Sequence, residues 1–391
     1  MSNEGKMIAY VNAKMYPVSR PPLEKGVLLV SGGKIVAAGD AVPIPSEAQV
    51  IDLTGKVLLP GLIDEHTHVG IWGEWYGQPE HDGNESTNPV TPEVRVIDSI
   101  WPDHTAFADA RSGGLTTIQI TPGSGNIIGG EQVVVKTAGC LVDEMIVRNP
   151  SGMKAALGEN PKGAYGRQNK MPATRMGNAS VLRAAFLKAR DYERKVAAGE
   201  KDATKIPDTD LGMLGLLKVL HREIPLRVHA HRADDIVTAV RIAEEFDIDF
   251  SIEHCTDGIT VAEFLGKRKA KVNVGPSMWH RAKIETLNIT VETPGVLAKA
   301  GCRVSIISDH PFHPIQFLST AAGLAWANGM REEDALRAVT LTPAETLGVQ
   351  DRVGSLDAGK DADFVVWSGH PFRVRSKVEQ VFIEGKKVYG M

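Results

Sequence analysis

Two histidines that alternate along one short segment are the first residues in the chain that could bind a metal. They lie in Asp64–His68, which directly follows an apolar run beginning at Leu58. Residues i and i+2 of a strand point the same way, so His66 and His68 could hold one ion together. Imidazole nitrogen suits zinc, manganese, iron or nickel. This segment therefore predicts a divalent-metal site at the end of a buried strand.

Three later apolar runs also end in residues that could bind a metal. His229 and His231 follow the fifth predicted strand, His254 follows the sixth, and Asp309 follows the eighth. The carboxyl ends of the strands of a parallel barrel meet at one face, so these side chains should converge. At the fifth strand we prefer His229 as the ligand, because it ends the apolar run directly. His231 would then contact a ligand or the substrate.

Eight short apolar runs in the middle of the chain would supply these strand ends. Helical patterns such as Ser180–Ala198 and Asp234–Phe246 separate most of the runs. This alternation predicts parallel βα units, and eight units predict an α/β fold of the (β/α)8 TIM-barrel type. A doubly wound open sheet is the alternative. The predicted strands are Leu58–Asp64, Leu115–Ile120, Gln132–Lys136, Met153–Leu157, Leu226–Val228, Asp249–Ile252, Val272–Val274 and Arg303–Ile307.

Both ends of the chain carry short strand patterns separated by turn signals. Gly32-Gly33 and Thr54-Gly55 are turns near the start, and Glu384-Gly385 is one near the end. We therefore predict a small β-sandwich domain formed by residues 1–59 and 350–391, with the barrel spanning 60–349. Two separate appendages, one at each end, are the alternative.

The first predicted strand resembles a known signature. The segment Val57–His68, VLLPGLIDEHTH, is similar to the first-strand motif of the amidohydrolase superfamily. Near the other end, Leu341–Ala344 and Gly354–Asp363 resemble the segments that lead that superfamily's chains back into the small β domain. The resemblance covers nearly the whole chain, and its imidazolonepropionase-like and Xaa-Pro dipeptidase-like branches are the most similar.

The resemblance implies roles for the strand-end residues. His66 and His68 would bind the more buried metal, and Asp309 would bind it and act as general base toward the attacking water. A bound divalent ion lowers the pKa of water to roughly 7, so that a nucleophile forms near neutral pH. His229 and His254 would be the remaining ligands or would polarise the substrate. Zinc is favoured as the ion, with iron, manganese or nickel as alternatives.

The sequence leaves the number of metal ions open at one or two. Two-metal members of the superfamily have a bridging carboxylate, often a carboxylated lysine on the fourth strand. Lys154 lies where such a lysine would be, and Lys136, Glu131 and Glu159 are the other candidates. A single ion without a bridge is the alternative.

Two long segments could form the substrate site, because long loops in compact folds are usually functional. One spans residues 70–100 and contains Trp75 and Tyr76. The second, Gly158–Gly177, is basic and could recognise a substrate carboxylate. Trp279 and His280 follow the seventh strand and should also face the barrel mouth. The predicted substrate contacts are His231, Arg167, Tyr165, Trp279 and His280.

Composition excludes several classes of function. The formal net charge is -4 without a long basic run, so a nucleic-acid partner is not expected. No segment approaches the ~20 apolar residues of a membrane helix, and the three cysteines form no disulfide pattern. We expect a cytoplasmic enzyme with a small-molecule substrate and, from the resemblance alone, a homo-oligomer.

These features predict a metal-dependent amidohydrolase that cleaves a carbon–nitrogen bond of an amide, cyclic amide or amidine. The substrate could bear a carboxylate. Deamination of a nitrogen heterocycle and dipeptide hydrolysis are alternatives, because the ligand types do not distinguish these reactions. A non-catalytic metal-binding scaffold is disfavoured, because the ligand residues at all four strand ends are present.

Overall fold

The computed structural model describes residues 6–73 and 81–390. No helix in these ranges is both long enough and apolar enough to cross a lipid bilayer. The strands are β1 (Ile8–Met15), β2 (Leu23–Ser31), β3 (Lys34–Gly39), β4 (Gln49–Asp52), β5 (Val57–Pro60), β6 (Leu62–Thr67), β7 (Leu115–Ile120), β8 (Ile128–Lys136), β9 (Ile146–Ala156), β10 (Leu226–Ala230), β11 (Phe250–His254), β12 (Lys271–Val274), β13 (Arg303–Ile306), β14 (Phe364–Trp367), β15 (Val378–Ile383) and β16 (Lys386–Tyr389).

The helices lie mainly between the strands of the middle of the chain. The α-helices are α1 (Thr105–Ser112), α2 (Val142–Met145), α3 (Glu159–Gly166), α4 (Arg175–Gly199), α5 (Leu211–Leu220), α6 (Ala233–Phe246), α7 (Ala262–Gly266), α8 (Thr293–Ala300), α9 (Leu318–Ala327), α10 (Glu332–Arg337) and α11 (Leu341–Leu347). Single 3-10 turns occur at Val96–Ser99, Ala203–Lys205, Thr256–Val261, Ile284–Thr286 and Ile315–Phe317.

Strands β6 to β13 form one eight-stranded sheet in chain order. Its two edges meet where the backbone N–H of Asp309 donates to His66 O at 3.1 Å and that of His68 donates to His310 O at 3.0 Å. The sheet is thus a nearly closed barrel, which confirms the predicted TIM-type architecture. Each of the eight predicted strands corresponds to one of these strands.

The direction of the third barrel strand differs from the prediction. The sequence predicts eight parallel strands, but β8 is antiparallel to both β7 and β9. Only residues 121–127 connect β7 to β8. A parallel connection needs a crossover of a dozen or more residues, whereas an antiparallel one can be short. The carboxyl end of β8, at Lys136, therefore lies at the opposite end of the barrel from the carboxyl ends of the other seven strands.

A second eight-stranded sheet combines strands from both ends of the chain. Its hydrogen-bonded order is β16-β15-β14-β5-β1-β2-β3, and β4 pairs with β1. Tyr10 packs edge-on against Phe364, with ring centroids 4.9 Å apart, and Phe364 stacks on Phe382 at 4.4 Å. These contacts join the first and last segments of the chain. The domain boundaries near residues 59 and 350 stay a prediction.

A buried ion-pair network joins this sheet to the end of the barrel at which β8 ends. Lys136 Nζ lies 2.9 Å from Asp361 Oδ2 and 2.6 Å from Asp363 Oδ2. Lys34 and Arg352 also contact Asp361. Removing one partner from a buried network leaves another charge unpaired, which is costly. Lys136 therefore belongs to this buried ion-pair network, far from the other candidate ligands.

Candidate metal centre

Four strand ends bring the predicted ligands together at the mouth of the barrel. His66 is the last residue but one of β6, His229 lies in β10, His254 ends β11, and Asp309 follows β13. All four side chains are buried. His254 and Asp309 have positive φ angles of 71° and 55°. Such left-handed backbone is unfavourable for residues other than glycine and is found mainly where the fold must aim a side chain.

The ligand residues form two adjoining groups. In each group, made of His66, His68 and Asp309 or of His229, His231 and His254, the donor atoms lie within 4.8 Å of one another. Asp309 Oδ1 is 3.5 Å from His66 Nε2 and 3.3 Å from His68 Nε2. The ring centroids of His66 and His254 are 4.8 Å apart, so the groups are neighbours.

Hydrogen bonds on Nδ1 turn the Nε2 atoms of several histidines toward the centre. His68 Nδ1 donates to Thr121 O at 2.7 Å, and His254 Nδ1 donates to Gly275 O at 2.8 Å. Burial lowers the pKa of His66, His229 and His254 well below the usual value and that of His231 to about 3. These four lowered pKa values keep the imidazoles of His66, His229, His231 and His254 neutral at neutral pH, as metal ligands must be.

His229 provides the most direct indication that the residues present fit a metal ion. Its Nδ1 atom is buried and finds no hydrogen-bond partner within residues 6–73 and 81–390. Buried polar atoms rarely lack a partner, so an unsatisfied imidazole nitrogen in a histidine cluster suits a coordinated ion. His231 Nδ1, in contrast, lies 2.8 Å from Thr256 Oγ1. Both histidines face the cavity, and the choice between them stays open.

Lys154 is the one candidate bridging residue that contacts a predicted ligand. It lies in β9, is fully buried, and places Nζ 3.2 Å from His66 Nε2. Desolvation lowers its pKa to about 8, although Glu253 and Asp309 act in the opposite direction.

The other three candidate bridging residues lie elsewhere. Glu131 pairs with Lys218 at 2.6 Å. Glu159 lines the cavity, and its backbone N–H donates to Glu285. Lys136 is at the opposite barrel end, because β8 is reversed.

A cavity of about 560 Å³ opens above the two ligand groups. Arg167 and Lys283 bring positive charge to its lining, and Trp72, Trp279 and Phe312 bring aromatic surface. Both ligand groups line it as well. The cavity can therefore hold a small, partly apolar molecule with a negatively charged end.

Helix α3 explains which predicted substrate contacts reach this cavity. Asn160, Gly163, Ala164 and Arg167 recur at the spacing of one helical face and line the cavity. Tyr165 lies on the other face, fully buried, with Oη 2.8 Å from Asn88 O. The structure therefore places Tyr165 in the packing around the site rather than in its lining.

The remaining predicted contacts divide in the same way. Trp279 and His231 line the cavity, whereas His280 is exposed and packs on Trp279 with ring centroids 5.2 Å apart. Trp75 and Tyr76 lie outside the described residues. Sequence analysis missed Asn160 and Phe312, because neither belongs to a motif and only the fold brings them to the cavity.

Comparisons with known proteins agree with this arrangement. The sequence model of the amidohydrolase family matches residues 57–388. The chain is 30% identical over 390 residues to amidohydrolase tasK of Hapsidospora irregularis, covering 92% of this chain but only 39% of that protein. It is 24% identical over 390 residues to an imidazolonepropionase of Rhizobium rhizogenes, covering 92% and 91% of the two chains.

A solved structure gives closer agreement. An amidohydrolase from Thermotoga maritima MSB8 superposes with a TM-score of 0.94 and 43% sequence identity. The superposition covers 98% of this chain and 100% of that chain. The likeness thus extends over nearly the whole chain, both sheets included.

Proposed function

The chain belongs to the amidohydrolase family and is a hydrolase acting on carbon–nitrogen bonds, and on that premise we propose that it cleaves a small amide, cyclic amide or amidine at a divalent-metal centre. The observation that carries the proposal is the convergence of His66, His68 and Asp309 with His229 and His254 beneath one cavity. Zinc is the proposed ion, because imidazole and carboxylate donors suit it.

Lys154 completes the proposed centre as a bridge between the two ligand groups. Its neutral amine would add to carbon dioxide, forming an N–C bond and releasing a proton, to give an anionic carbamate. The contact with His66 places the amine beside the first ligand group. A divalent ion held by these residues acts as a Lewis acid and makes a nearby water molecule more acidic.

Asp309 is the proposed general base and acid. It lines the cavity and lies beside both histidines of the first group. As the water oxygen forms a bond to the substrate carbon, the Asp309 carboxylate takes the proton of the water. It then gives that proton to the leaving nitrogen as the C–N bond breaks. His231 lines the cavity, and in this proposal it contacts the substrate oxygen or nitrogen.

The cavity lining favours a substrate that carries a carboxylate. Arg167 and Lys283 line the same cavity as the ligand groups and carry positive charge. Desolvation lowers the pKa of Lys283, and Asp309, Glu285 and Glu159 oppose this effect. The similarity to an imidazolonepropionase supports placing imidazolonepropionate among the first substrates tested.

Replacing Arg167 by methionine is expected to raise KM for carboxylate-bearing substrates by about 10- to 100-fold, because a hydrogen bond to a charged group contributes about 1.5–3 kcal/mol. The matched control is Lys170→Met, since Lys170 belongs to the same basic segment but does not line this cavity. Steady-state kinetics with each substrate and its carboxamide analogue make the measurement. An equal KM increase for both analogues would contradict carboxylate recognition by Arg167.

Metal removal tests the proposed function as a whole. Dialysis against a strong chelator is expected to abolish hydrolysis of N-acyl amino acids, dipeptides or cyclic amides, and added zinc should restore it. Circular dichroism before and after dialysis shows whether the fold survives. A folded enzyme that remains fully active without detectable metal would contradict a metal-dependent reaction. Amino-substituted nitrogen heterocycles are assayed beside this panel, and ammonia release from them would favour the heterocycle deaminase alternative.

A further inference from the structure

A fully buried carboxylate, Glu253, lies directly behind His66. Its Oε2 accepts hydrogen bonds from His66 Nδ1 at 2.7 Å and from Asn273 Nδ2 at 2.9 Å. Its Oε1 accepts one from Ser251 Oγ at 2.5 Å and lies 3.4 Å from Arg227 Nε. All four neighbouring groups carry N–H or O–H donors, and carboxylate oxygens accept from such donors. Glu253 is therefore held in one orientation, with its charge directed at the histidine.

This arrangement distinguishes His66 from the other site histidines. His68 and His254 donate from Nδ1 to backbone carbonyl oxygens, which are neutral acceptors. Of the site histidines that the structure describes, only His66 donates from Nδ1 to a carboxylate within hydrogen-bond distance. A carboxylate fixes the Nδ1–H tautomer and increases the basicity of Nε2 more than a carbonyl does. His66 Nε2 faces Asp309 and Lys154.

Arg227 anchors this carboxylate in turn. Its guanidinium is fully buried between Glu253 and Glu65, with NH2 3.2 Å from Glu65 Oε2. Glu65 is equally buried and shares the same guanidinium. Of the two glutamates, Glu253 is the one that contacts a site histidine, and it also accepts hydrogen bonds from Ser251 and Asn273.

We infer that Glu253 is a positioning residue that sets the tautomer and the metal affinity of His66, with Arg227 holding Glu253 in place. The inference rests on the proposed function, because it assumes that His66 binds a metal. The inference adds two charged residues of the barrel interior, Glu253 and Arg227, to the residues on which the proposed metal centre depends. Removing the charge of Glu253 should weaken metal binding even though Glu253 contacts neither the cavity nor the substrate.

The test compares Glu253→Gln with its matched control, Glu65→Gln. Each substitution removes one of the two carboxylates on Arg227, and thermal unfolding shows how far each variant is destabilised. Only Glu253→Gln is expected to weaken zinc binding, by about 10- to 100-fold, which is typical for loss of a carboxylate behind a histidine ligand. Zinc affinity is measured by competition with a chromophoric chelator. The visible absorption of the Co²⁺-loaded proteins reports the ligand field independently.

A second variant, Glu253→Asp, tests the same inference if Glu253→Gln does not fold. Glu253→Asp keeps the negative charge in the barrel interior but, being one methylene shorter, withdraws it from His66, so zinc binding should weaken and the Co²⁺ spectrum should shift. Equal zinc affinity in wild type, Glu253→Gln and Glu253→Asp would overturn the positioning role, as would equal weakening by Glu65→Gln. A wild-type protein that binds neither zinc nor Co²⁺ would instead overturn the proposed metal centre, and the inference with it.

Discussion

Replacing Asp309 by asparagine is expected to lower kcat by about 10²- to 10⁴-fold, the usual contribution of a positioned general acid or base. The carboxamide keeps the shape of the side chain and an oxygen beside His66 and His68. It cannot accept a proton from water near neutral pH, so the chemical step should slow while KM changes little. Kinetics on zinc-saturated enzyme, with elemental analysis of the same samples, provide the measurement.

Asp257→Asn is the control for this substitution. Asp257 lies just beyond β11, where its Oδ1 accepts from Asn288 Nδ2 at 2.9 Å, and it does not line the cavity. Its variant should keep nearly all of the wild-type activity. Loss of a general base should leave at most about a hundredth of the wild-type kcat. If Asp309→Asn kept more than about a tenth of the wild-type kcat with zinc bound, Asp309 could not be the general base. Loss of zinc along with activity would assign it mainly to metal binding.

The strand ends could be predicted because the relevant pattern is local. An apolar run followed by His66 and His68, or by Asp309, shows both a buried strand and the residue at its end. The i, i+2 spacing then fixes which side chains share a direction. For this reason the barrel and the two groups of candidate ligands could be expected before any coordinates.

The direction of β8 could not be predicted in the same way. The sequence predicts a strand that starts only at Gln132, which leaves a longer connection from the second barrel strand. In the structure β8 begins at Ile128, with Gly129 and Gly130 inside it. A connection of residues 121–127 is then too short for a parallel crossover. Because β8 is reversed, Lys136 lies away from the candidate ligands and forms ion pairs with Asp361 and Asp363.

Side chains that meet only through tertiary packing were equally hard to predict. Tyr165 and Arg167 are neighbours in a basic segment, but helix α3 sends one into the core and the other to the cavity. Glu253 precedes His254, and strand alternation alone would separate the two side chains. Its contact with His66 depends on two strands, β6 and β11, that are far apart in the sequence.

Replacing Lys154 by alanine is expected to remove most of the activity and to lower bound zinc from about two equivalents per chain to one or none. The reason is that the proposed carbamate on Lys154 would be the only anionic bridge between the two ligand groups. Elemental analysis of protein purified without chelator gives the zinc content. Glu159→Gln is the control, because Glu159 belongs to neither ligand group and should not affect the number of ions.

A comparison of Lys154→Ala with Lys154→Met separates loss of the bridge from general damage to the site. Alanine leaves a space beside His66 that acetate or propionate could enter as a substitute bridge, so these carboxylates should restore zinc and part of the activity. Methionine fills that space and should prevent the rescue. About one equivalent of zinc in wild type and in both variants, without rescue, would contradict the bridge and leave a mononuclear centre formed by His66, His68 and Asp309.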